Sequence, residues 1–261
     1  MRMNFSRSIF LLTLASGLLA MPGCKPDPVE PDPLPAPPVS TTGTLRIQVQ
    51  PTWEGVPFAL NTVYHNVSNY RVKVELLKFY LGNMRLFSGS DTVLVKDVAL
   101  FDLNNGQLSM TASVPLGTWT GFAAGLGVPM VLNDADPVDY GPGHPLDLAN
   151  ATYWSWGSAY RFVMFDGRYD TDPDGTATPA NGFSMHTGLN PLYREFELSV
   201  GNGITTSVGN TTTLTLSMAV DAFFYSPTDT LDLVIENQSH GDNGPLSIEL
   251  TDNVIRSLSV E

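Results

Sequence analysis

Four histidines, His65, His144, His186 and His240, are the residues of this 261-residue chain best suited to bind a metal ion. Neutral imidazole is the commonest metal ligand in proteins, and it suits copper and zinc. None of the four lies in a helical H-E-x-x-H arrangement, and isolated histidines are more often surface or hydrogen-bonding residues. Nine methionines accompany them, and thioethers are softer ligands that copper also accepts. The side chains therefore favour a soft or borderline metal, provided that the fold brings two of them together.

An aromatic segment, Trp154–Phe162, carries two of the four tryptophans. Side chains alternate between faces along a strand, so one continuous strand would place Trp154, Trp156, Tyr160 and Phe162 on the same side. Such a row can be a structural wall of the core or the oxidisable lining of a site. The sequence leaves both interpretations open.

An acidic segment has the spacing of the start of a calcium loop. Asp170, Asp172 and Asp174 supply oxygens at positions one, three and five, and Gly175 stands at position six. The closing Glu is missing, because Asn181 occupies its place. A plain acidic surface turn explains the same residues, so calcium remains one of two interpretations.

Enzyme motifs are scarce in the chain. It has no G-x-S-x-G, no P-loop and no G-x-G-x-x-G after a strand. Asp166 and Asp170 could form the carboxylate pair of a glycoside hydrolase, but nothing in the sequence fixes their separation. We therefore expect that the chain is not an enzyme. Its net charge of −13, from 26 acidic and 13 basic residues, also disfavours binding to nucleic acid or anionic lipid.

Alternating apolar and polar residues predict the elements that must position these side chains. Runs with one apolar face recur at Leu45–Val49, Val72–Leu76, Phe196–Val200 and Leu214–Val220. Turn-forming clusters separate them, which predicts an all-β domain over residues 44–261, a single antiparallel β-sandwich with long loops. The longest loop is expected over residues 125–152, and short helical turns at 147–151 and 252–258.

The N-terminal segment has the features of an export signal and a tether. Residues 1–23 resemble a lipoprotein signal peptide, with an apolar run too short to span a bilayer and Gly23 before the only cysteine, Cys24. A lone cysteine cannot form an internal disulfide, so lipidation is its expected use, although an ordinary secretory signal with an incidental cysteine also fits. Residues 24–43 are expected to form a Pro-rich linker of extended geometry. Lys25 follows the cysteine at the position where an Asp would retain a lipoprotein in the inner membrane. We therefore expect an outer-membrane lipoprotein that faces the periplasm or the cell surface. It would contact the membrane only through its lipid anchor.

Several motifs, taken in order, resemble the MbnP-like family of copper-binding proteins, in particular its lipoprotein branch from Bacteroidota-type bacteria. Each motif alone is weak, but the ordered series is specific and covers nearly the whole domain. The matching segments are Pro57–Asn61, Leu77–Leu86, Gly125–Pro129, Leu132–Asn133, His144–Leu146, Tyr153–Phe162, Phe183–Gly188, Ser239–His240 and Asp252–Asn253.

The resemblance implies copper as the cofactor and histidines as its ligands. In the F-x-x-H-x-G segment His186 is the strongest candidate, His240 comes second, and His144 and His65 are weaker. The resemblance also implies that a tryptophan near the metal, Trp154 or Trp156 here, is oxidised to kynurenine by a partner of the dihaem peroxidase type.

Two other function classes remain open from the sequence. A cell-surface adhesion module would stack its aromatic strand on a glycan or a protein partner, and would expose the indole faces in an open groove. A glycoside hydrolase is a more distant third. A metal site instead requires two histidine rings close enough to share one ion.

Overall fold

Two β-sheets packed face to face form the architecture. The computed structural model describes residues 40–241 and 244–261, which belong to one compact unit, Ser40–Glu261. The expected signal peptide, the lipidation site at Cys24 and linker residues 24–39 lie outside the described residues. Within the described part of the chain, no helix is both long enough and apolar enough to cross a membrane.

Strands dominate the secondary structure. In chain order they are β1 (Thr42–Trp53), β2 (Val56–Pro57), β3 (Val63–His65), β4 (Arg71–Ser88), β5 (Asp91–Asp102), β6 (Ser109–Pro115), β7 (Gly117–Leu126), β8 (Tyr153–Trp154), β9 (Ala159–Asp170), β10 (Asn181–Gly188), β11 (Arg194–Thr206), β12 (Thr211–Ala219), β13 (Gln238–His240) and β14 (Leu258–Val260). The α-helices are α1 (Met130–Asn133) and α2 (Pro245–Arg256). Short 3-10 helices span Leu103–Asn105, Pro137–Asp139, Leu148–Asn150, Asn190–Leu192 and Val220–Phe224.

The strand order confirms the all-β sandwich. The smaller sheet runs β14-β12-β1-β2, with β6 also paired to β1, and the larger sheet runs β11-β7-β4-β9-β10-β13. In addition, β3 and β5 pair with β4, and β8 pairs with β9. Most pairs are antiparallel as expected, but β1–β12 and β10–β13 are parallel. Each of these two pairs joins strands far apart in the chain, so no hairpin imposes an antiparallel direction.

The predicted apolar faces form the core between the sheets. Leu45 of β1 and Leu214 of β12 are buried in one cluster with Phe165 of β9. In β4 the register shifts just ahead of Leu76, because a bulge inserts one residue into the strand. As a result Leu77 is fully buried in the core, whereas Leu76, expected on the apolar face, is half-buried.

The connection expected to be a long loop packs on the outer face of the larger sheet. Residues 127–152 contain α1 and two of the 3-10 helices, and Leu146 is fully buried in a second apolar cluster with Tyr80 and Tyr160. The Tyr160 hydroxyl donates to the carbonyl of Leu146 (2.7 Å), and that of Tyr80 donates to the carbonyl of Pro145 (2.8 Å). The connection is therefore an ordered cover of the sheet.

The prediction of one continuous aromatic strand over Trp154–Phe162 is wrong. Tyr153–Trp154 forms β8 and pairs antiparallel with the start of β9, so the chain reverses between Trp154 and Ala159. Ser158 has a left-handed φ of 48° in this turn. The two indoles therefore differ in exposure: Trp154 is 4% exposed and Trp156 is 69% exposed.

Helix α2 is longer than the helical turn expected at 252–258. Its buried face contains Leu250 and Val254, which join the main core, and the Asn253 side chain donates to the carbonyl of Phe223 (3.0 Å). The turn expected at 147–151 is present as the 3-10 helix Leu148–Asn150.

Candidate metal centre

His186 and His240 are brought together by the parallel pairing of β10 with β13. They are direct partners in the register, and their ring centroids lie 5.5 Å apart at an interplanar angle of 82°. His186 is 9% exposed, whereas His240 is exposed to solvent. The fold thus places two imidazoles, far apart in the sequence, side by side at one end of the larger sheet.

Asp166 of β9 contacts the buried histidine. Its Oδ1 atom lies 2.8 Å from Nε2 of His186, yet both atoms are buried and neither has a partner in hydrogen-bonding geometry. The distance is that of an ion pair, but the direction is not that of a hydrogen bond. Buried polar atoms without a directed hydrogen bond are uncommon in proteins, and such atoms often have a functional role. A cation bound beside these two atoms would satisfy both of them.

Met164 faces His186 from the neighbouring strand. The two residues are direct partners in the antiparallel register of β9 and β10, and such partners project from the same face of a sheet. Met164 is 6% exposed. A thioether, two imidazoles and a carboxylate therefore occupy one face of three adjacent strands.

Trp154 is held in a cradle made by two glycines that follow the histidines. A Cβ on Gly188 would lie 2.4 Å from the indole Cζ3, and a Cβ on Gly241 would lie 2.1 Å from the same atom. Gly241 also has a left-handed φ of 73°. Real Cβ atoms do not approach carbon so closely, so both strands that carry the histidines are shaped to accept this indole.

The Trp154 ring lies between His186 and the exposed Trp156. Its centroid lies 6.4 Å from that of His186 and 5.3 Å from that of Trp156. The guanidinium carbon of Arg161 lies 5.5 Å from the Trp154 ring centroid, within the range of a cation–π contact. The indole is therefore next to the histidine pair, outside the core between the sheets.

The other two histidines lie in different surroundings. His144 stacks on Tyr140 with centroids 4.6 Å apart, and its Nδ1 accepts a hydrogen bond from the backbone of Leu146 (3.1 Å). Burial, with a smaller contribution from Lys96, lowers the pKa of His144. His65 lies on β3, with Nε2 3.2 Å from the carbonyl oxygen of Pro173. These contacts are those of hydrogen-bonding histidines.

The acidic segment is organised around an arginine. The Arg71 guanidinium contacts the Asp170 carboxylate and donates to the carbonyls of Asp172 (2.8 Å) and Ala177 (2.6 Å). Backbone amides of the turn donate to the carboxylates of Asp170 and Asp172, and the first of these bonds, followed by Arg71, lowers the pKa of Asp170. A positive side chain thus fills the centre of the loop, and the calcium interpretation for Asp170, Asp172 and Asp174 has no support here.

The donor set at the histidine pair determines which ions it fits. Among residues 40–241 and 244–261, no three His, Cys, Asp or Glu side chains converge in a preassembled metal cluster. Two imidazoles beside a thioether fit copper, which accepts few and soft ligands. They do not provide the six to eight oxygens that calcium takes.

Sequence reasoning did not identify Met164, Arg161 or the two glycines as parts of this site. Alternation along β9 places residues 162, 164 and 166 on one face, and this signal is present in the sequence. The pairing of β10 with β13 is what brings the groups together, and no local pattern encodes a pairing between distant strands.

Comparison with known proteins identifies the family. A family model described as MbnP matches residues 42–243. Among solved structures, MbnP from Methylosinus trichosporium shares 13% identity and a TM-score of 0.48, over 71% of this chain and 78% of that one. A search of curated proteins found no match. The family model spans most of the chain, which therefore belongs to the MbnP family.

Proposed function

We propose that this protein binds copper at His186 and His240 and takes part in copper uptake, storage or handling without being an enzyme. The observation that carries the proposal is the adjacency of the two imidazoles, 5.5 Å between ring centroids, in a chain of the MbnP family. A copper ion bound there would be cargo held by neutral imidazole nitrogens.

The surroundings of the pair support this assignment. Nε2 of His186 is buried without a directed hydrogen bond, so in the neutral tautomer with its proton on Nδ1 the Nε2 lone pair is available to an incoming ion. The Asp166 carboxylate, 2.8 Å away, supplies negative charge next to it. Met164 lies across the strand pair with a thioether of the type that suits copper.

Trp154 is the better candidate for an oxidised aromatic. It is in ring contact with His186 and buried at 4% exposure, whereas Trp156 reaches the site only through Trp154. Conversion to kynurenine by a dihaem peroxidase-type partner is part of the proposal. In this conversion peroxide, the oxidant of a peroxidase, is reduced to water while the indole C2–C3 bond is cleaved, and hydrolysis then releases C2 as formate. The ketone and the aromatic amine that remain could both contact a bound ion or its water.

The setting of the domain also belongs to the proposal. We propose that Cys24 is lipidated and that the linker holds the copper-binding domain at the outer membrane, facing the periplasm or the cell surface. The motif around Cys24 and the proline spacing support it.

Metal analysis of the purified full-length chain tests the copper site. We expect the wild type to retain copper under reducing conditions, and the His186→Ala, His240→Ala double variant to lose it. His65→Ala is the matched control, because it removes an imidazole bonded to a backbone carbonyl elsewhere. Full copper occupancy in the double variant would eliminate the proposed ligands, and a wild type without copper would contradict the function itself.

The adhesion alternative is less well supported by the geometry. A glycan-binding face would expose several aromatic planes, but Trp154 is buried and only Trp156 of the pair is exposed. One exposed indole at a hairpin tip is a small surface for stacking a sugar chain.

A further inference from the structure

Arg161 carries a charge that is not paired with a carboxylate. Its Nη1 donates to the carbonyl of Ala151 (3.2 Å) and lies 3.8 Å from Sδ of Met164. Its Nε is buried without a hydrogen-bond partner, and none of the ion pairs found among the described residues includes it. Burial lowers the pKa of the guanidinium, an effect that Asp166 opposes, but an arginine keeps its proton in proteins. A fixed positive charge therefore stands within the candidate metal centre.

The Arg161 guanidinium has two neighbours, and each of them also adjoins His186. On one side it lies over the Trp154 ring, 5.5 Å from the centroid, and that ring contacts His186. On the other side it touches Met164, which faces His186 across the strand pair. Arg161 is itself the register partner of Gly188, two residues after His186. One side chain thus separates the guanidinium from the buried imidazole along either path.

A positive charge at this place acts on the bound ion in proportion to the ion's own charge. Coulomb repulsion in a partly buried site is only weakly screened, and it is twice as large for a divalent ion as for a monovalent one. Asp166 has the opposite effect, but it is shared with His186 at 2.8 Å. The imidazole and thioether groups supply affinity for soft ions of either charge, so they leave the discrimination by charge to the ionic side chains.

We propose that Arg161 is a specificity-determining residue that makes the His186–His240 site prefer monovalent Cu(I) over divalent ions such as Zn(II). The inference rests on the proposed function, because it concerns the same site. Arg161 does not bind the ion; it selects the ion by charge and holds the Met164 thioether and the Trp154 indole beside it.

Paired affinity measurements on the full-length chain test the selection. Cu(I) affinity is measured anaerobically against a chelator, and Zn(II) affinity by competition, for wild type, Arg161→Gln and Arg161→Lys. We expect Arg161→Gln to raise the ratio of Zn(II) to Cu(I) affinity by about tenfold, and Arg161→Lys, which keeps the charge, to retain the wild-type ratio. Arg161→Met keeps the aliphatic packing without the charge, so it should shift the ratio as Arg161→Gln does. It replaces Arg161→Gln in the measurement if Arg161→Gln does not fold.

Arg85→Gln is the matched control for net charge. Arg85 lies on β4 and is paired with Glu195 at 3.2 Å, so its removal should leave the ratio unchanged. The inference is overturned if Arg161→Gln retains the wild-type ratio, if both affinities fall equally, or if Arg85→Gln shifts the ratio as much. A wild type that binds no copper would overturn the proposed function as well, whereas copper binding with an unchanged ratio overturns this inference alone.

Discussion

Trp154 owes its position to the absence of two side chains. Gly188 and Gly241 leave the space into which its ring inserts, and each follows one of the two paired histidines. The indole is therefore matched to both strands of the site, although it comes from a hairpin that belongs to neither. A substitution in this cradle should affect the indole and the histidine pair together.

Gly241→Ala should disturb the site more than its backbone strain alone explains. The new Cβ meets the Trp154 ring at 2.1 Å, so overpacking should cost about 1–3 kcal/mol of unfolding free energy beyond the strain of a left-handed alanine. Gly209→Ala is the control, since Gly209 has a φ of 74° and nothing within 4 Å of a new Cβ. Denaturant unfolding with tryptophan emission measures both effects; equal losses in the two variants would contradict the cradle.

At the scale of elements, alternation predicted the strands but not their partners. The apolar faces of β1 and β12 are where the sequence places them, because a two-residue period needs only local information. The bulge in β4 shifts that period, and the turn at Ser155–Ser158 ends it. Neither is marked by a strong turn signal such as Asn-Gly. His186 and His240 could be proposed from the family resemblance, but their adjacency depends on the pairing of β10 with β13.

The cover over the outer sheet face should loosen when one hydroxyl is removed. The Tyr160 hydroxyl donates a buried hydrogen bond to the carbonyl of Leu146 (2.7 Å). Tyr160→Phe removes this donor. We expect a loss of about 1–3 kcal/mol in unfolding free energy and faster amide exchange over residues 127–152. Tyr225→Phe, which removes a longer bond to Asp221 (3.4 Å) in a half-buried setting, should change neither. Unchanged exchange in Tyr160→Phe would show that the Tyr160 hydroxyl does not hold the cover in place.

At the scale of the whole molecule, the described domain and its N-terminal segment have separate tasks in the proposal. The domain, Ser40–Glu261, contains all four histidines and both members of the tryptophan pair. The segment before it contains the only cysteine. Metal binding and attachment to a membrane should therefore be separable by mutation.

Cys24→Ser should release the protein from membranes without changing its copper content, because serine cannot be lipidated. Cell fractionation and metal analysis of the released protein measure the two properties. Lys25→Asp is the control, since it keeps the cysteine and should move the protein to the inner membrane while leaving it membrane-bound. Recovery of Cys24→Ser in the membrane fraction would show that the anchor is assigned wrongly.

The three-residue length of β13 also limits the pairing of the larger sheet with another copy of the chain. β13 is the last strand of the larger sheet, so its free backbone groups are the ones that another chain could pair with. An edge of three residues offers few such groups, and short edge strands are a common protection against edge-to-edge aggregation. The same strand carries His240. A longer β13 would hold His240 by more backbone hydrogen bonds, but it would also give the larger sheet a longer edge with which another copy of the chain could pair.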